Sequence, residues 1–147
     1  MPRRTALASN AWGQGQRENR DAMRESAYVY HPIYLEHNQP SHPENAHRLE
    51  RILDVLDERG MPERLRLLEP RPATREELLR VHTGQHVDHV KEVAQAGGGH
   101  LDPDTYVVPQ SFEAALMAAG GLVHAVESVL DGEIENAFAL VRPPGHH

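Results

Sequence analysis

Cysteine is absent from the 147 residues. This excludes disulfides and thiolate chemistry, and it fits a reducing compartment. Long apolar runs are missing too: none approaches the roughly 18–20 residues of a transmembrane helix, so no membrane partner is expected. Arg3 and Arg4 are not followed by an apolar segment, which argues against a secretory signal. The expectation is a cytoplasmic protein. Beyond the N-terminal tail no Lys/Arg cluster forms a basic stripe, and the net charge is −7 with histidine neutral, so direct nucleic-acid binding is not expected. Apolar content is a little low at 39%. The shortfall lies mostly in residues 1–25, which are polar and aperiodic and read as a disordered leader. The remainder, 26–147, reads as one α/β unit.

What is present in excess is histidine, eleven in all. Along the chain, Ala27-Tyr28-Val29-Tyr30 reads as a strand ended by His31-Pro32. Leu49, Ile52, Leu53 and Leu56 fall at helical spacing, with Gly60 placed to end that helix. Leu65–Leu68 is a second strand candidate. Thr74-Arg75-Glu76-Glu77 has capping-box spacing and starts a short helix. Thr83 opens another helix, which stops at Gly97-Gly98-Gly99. Residues 97–109 read as a loop rich in Gly, Asp and Pro. Ser111 is placed to cap a long helix in which Ala115, Ala118, Ala119, Leu122, Val126 and Val129 share a face. Strands separated by helices imply crossovers and a mainly parallel sheet flanked by helices.

The last eleven residues carry the chemistry. Ala137-Phe138-Ala139-Leu140-Val141 is wholly apolar and predicts a strand buried on both faces. Arg142-Pro143-Pro144-Gly145 then makes a stiff turn, with Gly145 permitting close backbone approach. His146 and His147 follow, at the carboxyl end of a strand, where open α/β sheets keep their active sites. Adjacent imidazoles on such a turn suit a general base and an electrostatic partner flanking one carbonyl. Two histidines do not make a metal site, and the plainer alternative is an exposed terminal pair. His82, His86 and His89 could share a helix face, yet Thr83 as N-cap leaves His82 outside it, so solvated surface histidines are expected there. His37 and His42 read as loop histidines with structural hydrogen bonds.

Arg142-Pro143-Pro144-Gly145-His146-His147 resembles the signature of the zinc-dependent histone deacetylase superfamily, in the form seen in class II, acetoin-utilisation and acetylpolyamine-amidohydrolase members. His42-Pro43-Glu44 with Arg48, Arg71–Leu78, Val81-His82-Thr83, and Asp102–Tyr106 through Ser111 to Gly121 are similar to family segments in the family's order. The resemblance implies an arginase-like α/β fold, incomplete in this chain, and hydrolysis of an acyl-amide on an acetylated lysine protein, a polyamine or a related small amide. By carry-over, His147 is the general base and His146 the partner that stays protonated. Asp104, with Asp102 as rival, is the rim acid that binds the substrate backbone. Arg48 lines an inner cavity, and Gly145 joins the substrate-binding set.

The departures from the family pattern are as informative. The family's zinc ligands, an Asp-x-His segment and a further Asp, follow the His-His pair, so zinc is expected to be held by residues downstream of this chain and none within it. The 147 residues alone are expected to be inactive, as a fragment. The alternatives are a non-catalytic remnant that still binds acyl-lysine, and an arginase-like hydrolase with another substrate. The sequence is silent on oligomeric state.

Overall fold

A computed structural model describes residues 25–145. Its elements run β1 (Ser26–Val29), α1 (Ile33–Glu36), α2 (Ala46–Glu58), β2 (Arg66–Leu68), α3 (Arg75–Leu78), α4 (Gly84–Gln95), β3 (Gly99–Asp102), β4 (Thr105–Val107), α5 (Ser111–Leu130) and β5 (Asn136–Ala139). The expected leader lies outside the described residues except for Glu25, whose carbonyl accepts the Glu135 N–H at 3.0 Å.

The main sheet has the order β2-β1-β5, and both pairings of β1 are parallel, with Ala27 opposite Arg66 on one side and Ala137 on the other. All three carboxyl ends therefore lie at one edge of the sheet. On one face Ala27, Val29 and Leu68 pack with Ala125 of α5, Ile134, Ala137 and Ala139. Tyr34, Leu49 and Ala118 form a second cluster with Leu140, against which Tyr28, Tyr30, Leu53 and Leu56 pack. Side-chain caps start three of the helices. The Asn45 side chain accepts the His47 N–H at the start of α2, Thr74 and Glu77 complete a capping box, and Thr83 caps α4. Gly60 closes α2 at φ 61°, a left-handed conformation that glycine adopts without steric cost.

Four expectations are corrected. Residues 97–109 are not simply loop, because β3 and β4 pair antiparallel within them. Ser111 does not cap α5: the N-cap is Gln110, without a side-chain hydrogen bond, because the Ser111 hydroxyl is engaged by His37 and the Val108 N–H. The strand before the turn is not buried on both faces, since Phe138 is 64% exposed. Finally, α5 is long and apolar enough to cross a membrane by length and composition, with 20 residues and hydropathy 1.3.

The buried stripe of α5 is also made of smaller residues than the spacing of leucine and valine suggests. Ala114, Ala118, Gly121, Ala125 and Ser128 face inward, while Leu122, Val126 and Val129 are exposed. Small residues let the helix approach closely. At Gly120 an added Cβ would fall on the backbone of Arg71, Pro72 and Ala73, where the Ala73 N–H donates to Leu116 O at 2.8 Å.

Candidate functional site

The segments that leave the carboxyl ends of β1 and β5 meet, and the β3–β4 hairpin closes over them. Arg142, three residues past β5, is the centre of this junction. It is a guanidinium with a side chain only 4% exposed, preceding a cis peptide bond to Pro143. Its Nε donates to Glu44 Oε1 at 2.9 Å and its Nη2 to Glu44 Oε2 at 2.8 Å. This is the two-pronged geometry in which a guanidinium matches a carboxylate. The remaining donors reach Tyr34 O at 3.1 Å and the Tyr106 hydroxyl oxygen at 3.1 Å. The Tyr106 hydroxyl in turn donates to Glu44 O at 3.1 Å. The segments at Tyr34, Glu44 and Tyr106 are thus tied to one side chain.

Behind Tyr106 lies His37, stacked at 4.5 Å between ring centroids with planes 7° apart. Its Nδ1 is 2.7 Å from Ser111 Oγ, which also accepts the Val108 N–H at 2.8 Å. Burial, helped by the Arg142 charge, pushes the His37 imidazole down from 6.5 to about 4, so it is neutral near pH 7. Burial alone would raise the Glu44 carboxyl, but the Arg142 hydrogen bonds and charge outweigh it and hold the group below its usual range. Burial likewise works against the Arg142 charge, and the bonds to Glu44 overcome it. Among the described residues, no buried side-chain nitrogen or oxygen lacks a partner.

The hairpin supplies the rim. Asp102 is used up in the turn: Oδ1 accepts the Asp104 N–H at 2.9 Å and Oδ2 accepts the Thr105 hydroxyl at 2.7 Å. Asp104 points outward, 81% exposed, with Oδ1 3.2 Å from His42 Nε2. Both acids weighed from the sequence are exposed, but Asp102 spends its oxygens on the turn, whereas Asp104 turns its carboxylate outward beside His42.

The other candidate residues divide. His146 and His147 lie outside the described residues. Gly145 is exposed, and a Cβ there would meet nothing within 4 Å. Arg48, expected to line an inner cavity, has a side chain 63% exposed and reaches Glu44 Oε1 at 3.3 Å, because it shares α2's outer side rather than the stripe of Leu49. His82, His86 and His89 are exposed. No group of three or more His, Asp or Glu is placed to hold a metal among the described residues, so the described part does not fit a catalytic zinc by itself.

Sequence reasoning missed Arg142 and Glu44 as a pair, and Tyr106, His37 and Ser111 as their support. Arg142 and Glu44 are separated by 98 positions, and nothing local marks either as buried. Tyr106 could have been suspected, since Tyr106-Val107-Val108 is a short run of residues that favour strands.

Comparison with known proteins bears on this geometry. The family described as the histone deacetylase domain matches residues 42–147. A probable deacetylase of Archaeoglobus fulgidus is 47% identical over 122 residues, spanning 81% of this chain and 34% of that protein. A histone deacetylase-like amidohydrolase of Pseudomonas aeruginosa is 44% identical over 71% of this chain and 27% of its own length. The human polyamine deacetylase HDAC10 is 41% identical over 71% of this chain and 16% of its own length. The solved HDA15 HD domain superposes with a TM-score of 0.80 at 36% identity, over 84% of this chain and 36% of that one. The chain therefore spans about a third or less of the length of these relatives.

Proposed function

Because the chain belongs to the histone deacetylase family, with part of its arginase-like α/β fold, we propose that it is the amino-terminal segment of a zinc-dependent deacetylase acting on acyl-amides of lysine or polyamine-like substrates. The observation that carries the reading is the seat built around Arg142. The family match covers its Arg142, Glu44 and Tyr106, and it fixes the strand-end turn beside a rim at which the Asp104 carboxylate points outward. On this reading Asp104 accepts an N–H from the substrate backbone. His147 takes a proton from the attacking water, and His146 stays protonated and steadies the negative charge that develops on the acyl oxygen. Gly145 leaves room for the acyl group to approach the backbone. Zinc, when bound, polarises the acyl carbonyl and acidifies a water; its ligands belong to the part of the relatives' length that this chain does not span.

The test is hydrolysis of acetyl-lysine peptides and acetylated polyamines, with zinc and with chelator. It compares the 147-residue chain with a protein that carries it within the full family domain. Turnover is expected only in the longer protein and only with zinc. There His147→Ala lowers kcat by roughly 10²–10⁴, the usual range for a lost general base. Turnover that survives chelation or His147→Ala would defeat the proposal. A second reading, recognition of acyl-lysine without turnover, draws on a rim formed within the described residues where no metal cluster is. Binding of acetylated peptide by the 147-residue chain, with no turnover in the longer protein, would favour it.

A further inference from the structure

We infer that His42 is a positioning residue for the Asp104 carboxylate, and so sets how tightly the rim grips a peptide backbone. This rests on the reading of Asp104 given above. The His42 ring is held at Nδ1 and along one edge, and is largely covered. Nδ1 accepts the Glu44 N–H at 3.0 Å, its edge meets the Tyr106 ring at 5.2 Å between centroids, and its side chain is only 20% exposed. Tyr106 is itself fixed by Arg142 and by the Glu44 carbonyl. Glu44 O also lies 3.2 Å from Nδ1, but the shorter contact is to the Glu44 N–H, which can only donate; Nδ1 as its acceptor carries no proton, so in the neutral ring the proton sits on Nε2. Nε2 is the nitrogen 3.2 Å from Asp104 Oδ1.

His42 therefore donates to a carboxylate that would otherwise swing freely at the tip of a two-residue turn. Tethering one oxygen leaves the other to accept an N–H from an incoming chain and lowers the ordering cost of that contact. The sequence shows why this rim is local to the fold. His42 follows β1 and Asp104 lies in the hairpin, 62 positions apart, so the bond also pins the hairpin to the strand-end junction.

Two measurements decide it. Nitrogen NMR of the histidine rings in the 147-residue chain is expected to show His42 protonated on Nε2, with that signal moving in Asp104→Asn. A ring protonated on Nδ1 overturns the inference whether or not the protein is a deacetylase. In the catalytically competent protein, His42→Ala is expected to raise KM for an acetyl-lysine peptide about tenfold with kcat within twofold. His42→Gln, which keeps a donor, recovers most of the loss. Asp104→Ala reproduces the effect, and the double variant is no worse than either single one. An acetylated amine without a backbone amide is expected to be insensitive to all of them. A fall in kcat for both substrates, or additive effects in the double variant, overturns the inference; absence of turnover in the unsubstituted protein instead counts against the deacetylase reading and leaves the NMR result to stand.

Discussion

The junction around Arg142 and the outer face formed by α5 and β5 are opposites in construction. At the junction a charge is buried, and its donors find a carboxylate, a carbonyl and a hydroxyl. On the outer face Leu122, Val126, Leu130 and Phe138 lie 50–79% exposed. Polar burial needs every partner in place before it is tolerable, whereas apolar exposure only needs cover. The first kind of region is complete within these residues. The second has the character of a surface made to be packed against, on a chain that spans 34% of its Archaeoglobus relative.

The sharpest way to break this contrast is substitution on each side. Arg142→Ala leaves the Glu44 carboxylate, which is only 18% exposed, with the exposed Arg48 at 3.3 Å as its remaining cation. Removing one partner of a buried pair costs roughly 3–5 kcal/mol, and residual water at Glu44 places the expected loss near the lower figure. Phe138→Ala, on the open face, is expected to cost no more than about 0.5 kcal/mol while improving solubility. Urea unfolding of both variants checks the pair; equal losses would erase the distinction.

Acid sharpens it next. An unfolded His37 takes up a proton as pH falls through 6.5, but the folded ring does so only near 4. Stability is therefore full above 6.5 and declines as pH falls toward 4, by at most about 3 kcal/mol. The lowered Glu44 carboxyl adds to the loss at the acid end, since its contribution is present above its ordinary value of 4.5 and fades below. Unfolding free energies measured from pH 7 to pH 4 are expected to slope in this sense, with a shallower slope in His37→Gln. An unchanged slope in that variant would show that His37 is not the group responsible.

The smallest effect lies within a single helix. Gly120→Ala pushes a methyl group onto the backbone of Arg71 and Ala73, and over-packing of this kind costs about 1–3 kcal/mol. Leu122→Ala, two positions on and 52% exposed, is expected to stay near 0.5 kcal/mol. Thermal melts of the two variants rank them directly, and a reversed ranking would mean that the faces of α5 have been misassigned.

That helix also shows how far the sequence could be read. Its existence, its extent and its neighbours in chain order follow from periodicity, as do α2 and the three parallel strands, while α4 also begins at its expected Thr83 cap. Its inner face does not. Leucine and valine advertise hydrophobic contact, but close approach to the Arg71–Ala73 segment demands glycine and alanine, and the demand comes from a partner about 50 positions earlier (120 − 71 = 49). The hairpin was hidden for a local reason: glycine, proline and aspartate around Gly97–Asp104 are loop-forming residues, and the pairing between His100 and Tyr106 is too short to show alternation. The rim acid was narrowed to Asp102 or Asp104 by sequence. Only the turn geometry, which occupies both Asp102 oxygens, separates them. Arg142 was visible as part of a motif, and invisible as the anchor of one, because its counter-charge comes from 98 positions earlier.

The central place of β1 has a consequence for how the molecule is made. Ser26 pairs with Asn136, 110 positions later (136 − 26), and Ala27 pairs with Arg66, so every ladder in the main sheet waits on distant sequence. At roughly 5–20 residues per second of synthesis, the first strand leaves the ribosome some 5–20 s, by the same rates, before its second neighbour exists. During that interval the nascent chain has helices to form but only half a sheet to form them against.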